Sequence, residues 1–138
     1  MPEAILIDSG VLVGFYDRRD PYHDRIIDFF RTCSGQLITT LACATEVMWL
    51  LNQDWRVQNV FLQHLAQGIY HCEPLLSEDF QRIIALNQQY ADLPGDFSDL
   101  ALVAISERLN IADIATLDKD FDIYRRYRKQ PFNRIFRP

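Results

Sequence analysis

No apolar run in this 138-residue sequence approaches the ~20 residues needed to cross a bilayer as a helix, which excludes an α-helical membrane span. The N-terminus does not read as a secretory leader either, because Glu3 and Asp8 interrupt its apolar residues and no basic region precedes them. The expected location is the cytoplasm. Cysteine is scarce: Cys33, Cys43 and Cys72 lie far apart and are odd in number. That excludes a disulfide framework and a C-x-x-C metal or redox motif, and leaves small buried or half-buried thiols. His23, His64 and His71 have no ligand spacing and read as structural or surface residues. There is no internal repeat, low-complexity tract or linker, so residues 1–138 are expected to form a single domain.

What is present is ordinary in bulk and uneven in charge. The apolar share of 49% suits a globular core and is too high for disorder. From Arg125 onward the sequence carries Arg125, Arg126, Arg128, Lys129, Arg134 and Arg137 and no acid; removing those six charges from the net −5 leaves −11 for the rest. An acidic body with a basic end points to an anionic partner or, more simply, to a solubilising tail.

Taken in order, Ala4-Ile5-Leu6-Ile7 is a short apolar run of the kind that forms a buried strand, ended by Asp8-Ser9-Gly10. Helical patterns follow over Val11 to Tyr16 and His23 to Arg31, and Gln36 to Thr40 is a second strand. From Leu41 the apolar stripe Ala44, Val47, Met48 and Leu51 predicts a helix with Glu46 embedded in it, and Arg56 to Gln67 predicts another. Ile69 to Leu75 is a short strand restricted by Pro74, and Ser77 is a good N-cap for a helix reaching about Tyr90. After the turn Asp92-Leu93-Pro94-Gly95, Asp96 and Asp99 open an apolar helix that ends near Leu109-Asn110. Ile111 to Thr116 is a further strand, Leu117 to Phe121 a turn and short helix, and Asn133 to Phe136 an edge strand. This alternation calls for an α/β fold, with a central parallel sheet flanked by helices on both faces. Trp49, Trp55, Tyr16 and Tyr70 read as core or dimer-interface residues.

Four acids stand out from the polar stretches that hold most of the others. Asp8 follows a buried strand, Glu46 sits in an apolar helix, Asp99 opens one, and Asp118 follows another strand. No Lys or Arg lies locally beside Asp8, Glu46 or Asp99, and burying unpaired carboxylates costs several kcal/mol each. Singly, each has a plain explanation: Asp96 or Asp99 as a helix cap, Asp8 and Asp118 as turn residues. As a converging set they would repel unless cations neutralised them. Hard oxygen ligands suit Mg²⁺ or Mn²⁺, and the chemistry they support is metal-assisted phosphodiester hydrolysis. A competing reading makes the strand-end Asp8 the nucleophile or phosphoacceptor of a phosphatase or phospho-receiver. Against it, no second nearby Asp accompanies Asp8-Ser9-Gly10, and Glu46 has no role.

The successive segments Ile-Leu-Ile-Asp8-Ser-Gly-Val-Leu, Ala-Thr-Glu46-Val-Met, Phe-Ser-Asp99-Leu-Ala-Leu-Val-Ala and Ala-Thr116-Leu-Asp118-Lys-Asp120-Phe121 resemble the signatures of PIN-domain nucleases. Among these the sequence is most similar to VapC-type toxin ribonucleases of bacterial toxin–antitoxin pairs. The resemblance covers essentially the whole chain and implies an endoribonuclease that uses Mg²⁺ or Mn²⁺ and leaves a 5′-phosphate. It implies Asp8, Glu46 and Asp99 as principal metal ligands and Asp118 as the fourth acid, with the Ser9 and Thr116 hydroxyls near the metal or its waters. It further implies a homodimer and a cognate antitoxin whose C-terminal segment plugs the acidic cleft with a basic side chain. The last motif is one residue shorter than in many relatives, which keeps Asp120 as an alternative to Asp118; Asp96 takes a capping or supporting place beside Asp99. A PIN-like RNA-binding module without chemistry is the remaining alternative, disfavoured by the presence of all four acids.

Overall fold

The computed structural model describes residues 3–93 and 95–136, so Pro94 of the expected turn and Arg137 of the basic end lie outside the described residues. The chain runs β1 (Ala4–Ile7), α1 (Ser9–Tyr16), α2 (His23–Thr32), β2 (Gln36–Thr40), α3 (Leu41–Leu50), α4 (Trp55–Ala66), β3 (Tyr70–Glu73), α5 (Ser77–Gln89), α6 (Phe97–Arg108) and β4 (Asp113–Ala115). A 3-10 turn (Lys119–Asp122), a small hairpin of β5 (Arg125–Arg126) and β6 (Gln130–Pro131), and β7 (Asn133–Phe136) complete it. Five strands form one sheet in the order β3-β2-β1-β4-β7, every neighbouring pair parallel. The parallel α/β architecture read from the sequence is the one observed.

Strand β1 shows why the sheet is buried on both faces. Its side chains alternate, so Leu6 packs into the cluster shared with α5 and α6, while Ile5 and Ile7 pack into the cluster under α1, α2 and α4. In β4, Ile114 and Ala115 divide in the same way. Helix α6 is apolar all round because it is covered all round: Ser98 to Ser106 are buried without a break, against β2, α3, α5 and β5. Fully burying one of its large side chains contributes about 1.5–3 kcal/mol, and Leu102→Ala would cost about 2–5 kcal/mol. The consequence for the site is positional. A helix fixed this deeply holds its first turn, and therefore Asp99, in one place.

Most element starts are marked by polar caps. Thr40 Oγ1 accepts from Cys43 N (3.2 Å) at α3, and the Asp54 carboxylate accepts from Arg56 N (2.9 Å) at α4. At α5 the expected Ser77 cap is displaced by one position. Ser77 is already helical, and the Asp79 carboxylate reaches back to Leu76 N (2.8 Å) while Arg108 pairs with it.

The basic end is folded structure rather than a tail. Arg126, 4% exposed, donates to Asn110 Oδ1 (3.0 Å) and Ser106 O, and lies over the Tyr127 ring. Arg134 pairs with Asp122 (3.0 Å) and donates to Thr116 O (3.0 Å); Arg125 donates to the carbonyls of Asp122, Ile123 and Tyr124. Among the described basic residues of this end, only Arg128 and Lys129 combine exposure with no described side-chain partner. Trp49 and Trp55 also depart from a core placement, being 72% and 66% exposed, whereas Tyr16 and Tyr70 are joined hydroxyl to hydroxyl (2.8 Å) beside His64.

Candidate active site

Strand β1 ends at Ile7 beside Ala115 of β4, so the residues just beyond each strand meet at one rim of the sheet. Asp8 N donates to Ala115 O (3.1 Å), and Thr116 Oγ1, fully buried, donates to Asp8 Oδ2 (2.8 Å) across 108 residues of chain. Asp8 Oδ1 accepts from Ser9 N (2.7 Å), which makes the same carboxylate the cap of α1. Asp118 follows, its backbone N–H tied to Thr116 Oγ1 (3.0 Å) and its carboxylate capping the 3-10 turn through Asp120 N (2.9 Å). Ends of adjacent parallel strands are where open α/β sheets place ligands.

Helices α3 and α6 supply the facing wall. Asp96 caps α6 by accepting from Asp99 N (3.1 Å), and Asp99 sits in the first turn, where the helix N-terminus favours negative charge. Glu46, half-buried on α3, accepts from Ser9 Oγ (3.3 Å) and is in close contact with Ser98 Oγ, which also reaches Asp96 Oδ1 (2.8 Å). Asp8, Ser9, Gly10, Glu46, Asp96, Asp99, Leu117 and Asp118 thus line one cleft of about 260 Å³. Carboxylate oxygens of Asp99, Asp118 and Asp120 lie within 4.8 Å of one another. An apolar groove of about 740 Å³, walled by Leu41, Leu75, Phe80 and Phe97, shares Glu46 and Asp96 with this cleft.

Cap and cluster are therefore the same residues. Asp8, Asp96 and Asp118 each do the local work that a lone acid would do, and the fold then points them at a common space. Two residues joined to the cluster were not singled out in the sequence: Ser98, which bridges Glu46 and Asp96, and Tyr124, whose hydroxyl is buried beside the acids. Ser98 carried a signal in being adjacent to Asp99. Tyr124 carried none, because nothing local brings it to the cleft.

The electrostatics are those of acids without counter-ions. None of the described ion pairs reaches Asp8, Glu46, Asp96, Asp99, Asp118 or Asp120. Burial pushes the Asp8 carboxyl up to about 6, against the hydrogen bonds from Thr116 and Ser9 that favour its charge, and Asp118 and Glu46 raise it further. Asp99, only 7% exposed, is held far above the carboxylate range by burial and then by the charges of Asp8, Asp96 and Asp118. Asp120 is raised by burial and by Asp118. A bound divalent cation would reverse these shifts, and an all-oxygen donor set fits a hard one.

Comparison with known proteins agrees with this geometry. The sequence matches the family model of the PIN domain over residues 5–127. No curated protein sequence matches it. Among solved structures it is similar to Mycobacterium tuberculosis VapC20, described as a sarcin–ricin-loop-cleaving toxin, with 15% identity, TM-score 0.79, and 86% of this chain and 93% of that one covered. It is also similar to a chain of a toxin–antitoxin complex from Klebsiella pneumoniae, with 19% identity, TM-score 0.64, and coverage of 85% and 89%.

Proposed function

The chain belongs to the PIN-domain family, and from that premise we propose that it is a metal-dependent endoribonuclease, the toxin of a bacterial toxin–antitoxin pair. One observation carries the reading: four acids from four separate parts of the chain, Asp8, Glu46, Asp99 and Asp118, line one cleft with no described cation to balance them. These four would hold Mg²⁺ or Mn²⁺, with Asp120 close enough to Asp99 and Asp118 to join them. When bound, the ion activates water and neutralises charge at the phosphate. The protein's own groups do the positioning: Thr116 and Ser9 N–H fix the two oxygens of Asp8, Ser9 and Ser98 orient Glu46, and Asp96 fixes the first turn that carries Asp99.

The substrate is RNA with unpaired bases. The apolar groove beside the cleft presents Phe80 and Phe97, stacked at 6.2 Å between centroids and each roughly half exposed, as a surface on which a base can stack. A cognate antitoxin would close the acidic cleft with a basic side chain, and the active species is a cytoplasmic homodimer of single-domain chains. No described helix is long and apolar enough to cross a membrane.

The test is a titration of Mn²⁺ into pure protein, followed by thermal melting and by cleavage of a single-stranded RNA. Binding to the native state should raise the melting temperature by mass action and produce 5′-phosphate fragments that EDTA suppresses. Cleavage that persists in EDTA, or a melting temperature indifferent to millimolar Mn²⁺, rejects the reading.

A further inference from the structure

Tyr124 is fully buried, its ring packed edge-on against Tyr90 and Phe121 with centroids 5.0 and 5.2 Å away. Its hydroxyl has no hydrogen-bond partner among the described residues, an expensive state for a buried donor. The charges that bear on it belong to the cleft: Asp99 first, then Asp120, Asp118 and Asp96. Gly95 shows where the hydroxyl points. A Cβ on Gly95 would fall 2.1 Å from Tyr124 Oη and 3.8 Å from Asp99 Cβ, so the phenol hydroxyl fills the place a side chain at Gly95 would take, on the side of Asp99. The Gly95 backbone is not in the left-handed region, so the position needs glycine for room and not for conformation. A phenol is suited to this place. It is neutral, adds no charge to a crowded acidic site, and offers a donor where carboxylates ionised to hold a cation only accept.

We propose that Tyr124 is a positioning residue of the acidic centre: its hydroxyl donates to a water that in turn donates to Asp99 and Asp120, aligning both carboxylates for a divalent cation. The water accepts the phenol proton's hydrogen bond and spends its own two protons on the two carboxylates, so every donor finds an acceptor. This rests on the nuclease reading above. Groups that orient metal-binding side chains from behind typically carry 10- to 100-fold in metal affinity.

The experiment compares the full chain with Tyr124→Phe by isothermal titration with Mn²⁺, and by melting in EDTA. The variant should bind Mn²⁺ about tenfold more weakly. Its metal-free melting temperature should stay level or rise, because the lost hydroxyl satisfied nothing within the protein. A hydroxyl with a merely structural role would do the opposite, lowering the metal-free melting temperature while leaving Mn²⁺ affinity intact, and that result overturns the proposal. Gly95→Ala gives a second route. Its methyl group occupies the place of Oη, so it should weaken Mn²⁺ binding in the natural background and add no further loss to Tyr124→Phe, where the space is vacated. Additive losses would also overturn it. If the natural protein itself takes up no Mn²⁺, the nuclease reading fails and this inference falls with it; equal, tight binding by both proteins sinks Tyr124 alone.

Discussion

The acidic cleft and the basic C-terminal hairpin are both runs of like charge brought into a small volume, and the fold treats them in opposite ways. At the hairpin and the strand after it, Arg125, Arg126 and Arg134 are turned inward onto carbonyls, Asn110 and Asp122, so their charge is absorbed by the protein. In the cleft, Asp8, Glu46 and Asp118 receive hydroxyls or N–H groups, and neither they nor Asp99 meet a described cation. Net charge along the sequence is thus a poor guide to where charge is available. The end that looked like an anion-binding tail is largely structural, and the segments that looked like helix caps and turns assemble a concentration of charge that no described ion pair answers. Like charges held together and unpaired are a standing cost, which is sensible only where a ligand relieves it.

The sharpest way to break this contrast is to remove one charge from each side. Asp99→Asn should reduce Mn²⁺-dependent RNA cleavage by roughly 10³-fold, about 4 kcal/mol of transition-state stabilisation, while the metal-free protein becomes more stable in denaturant at neutral pH because the cost of keeping a buried carboxyl protonated in the native state is gone. Retained cleavage, or a destabilised metal-free protein, would refute the unpaired character of the cleft. A pH series tests the same point without mutation. Asp8 has a native pKa raised to about 6 against 3.8 in the unfolded chain, so its native state binds the proton more tightly. Its stabilising contribution is therefore complete below about pH 4 and is lost as pH rises through about 6, some 3 kcal/mol in all. Asp99, raised further, extends the decline to higher pH. Denaturant unfolding in EDTA should show this fall, and saturating Mn²⁺ should flatten it.

The basic side should respond in stability and not in chemistry. Arg126→Met is expected to cost about 2 kcal/mol in denaturant unfolding, because the acceptors Asn110 Oδ1 and Ser106 O lose a charged donor, with the cleavage rate per folded molecule unchanged. A large fall in that rate would mean that the hairpin serves the substrate directly. The smallest effect concerns the hairpin turn, where Tyr127 and Arg128 both lie at positive φ (51° and 71°). Arg128→Gly should therefore raise stability by about 1 kcal/mol in the same unfolding assay.

That turn also shows why the hairpin was not legible. Hairpin turns in which two successive residues take positive φ usually advertise themselves through Asn-Gly or Asp-Gly. Here Tyr127-Arg128 does the job, held by Tyr127 N donating to Glu107 (2.8 Å) and by the Tyr127 hydroxyl on the Glu107 carbonyl. Strand β1, by contrast, begins and ends where its apolar run does, because a strand buried on both faces favours an unbroken run of apolar residues. Asp79 displaced Ser77 as the start signal of α5 because a carboxylate paired with Arg108 from α6 outcompetes an exposed hydroxyl.

The alternation of strands and helices is written locally, as are the places of Asp8 and Asp118 beyond apolar strands and of Glu46 and Asp99 within apolar helices. Those are local facts, set by hydrophobic periodicity and by the preference of acids for helix starts. Which charges are answered is settled by long-range packing. Thr116 meets Asp8 across 108 residues, Arg134 turns to the Thr116 carbonyl, and Tyr124 arrives unpartnered beside Asp99 through packing on Phe121 and Tyr90. Pairing of this kind depends on distances set by the whole sheet, and no window of sequence contains them.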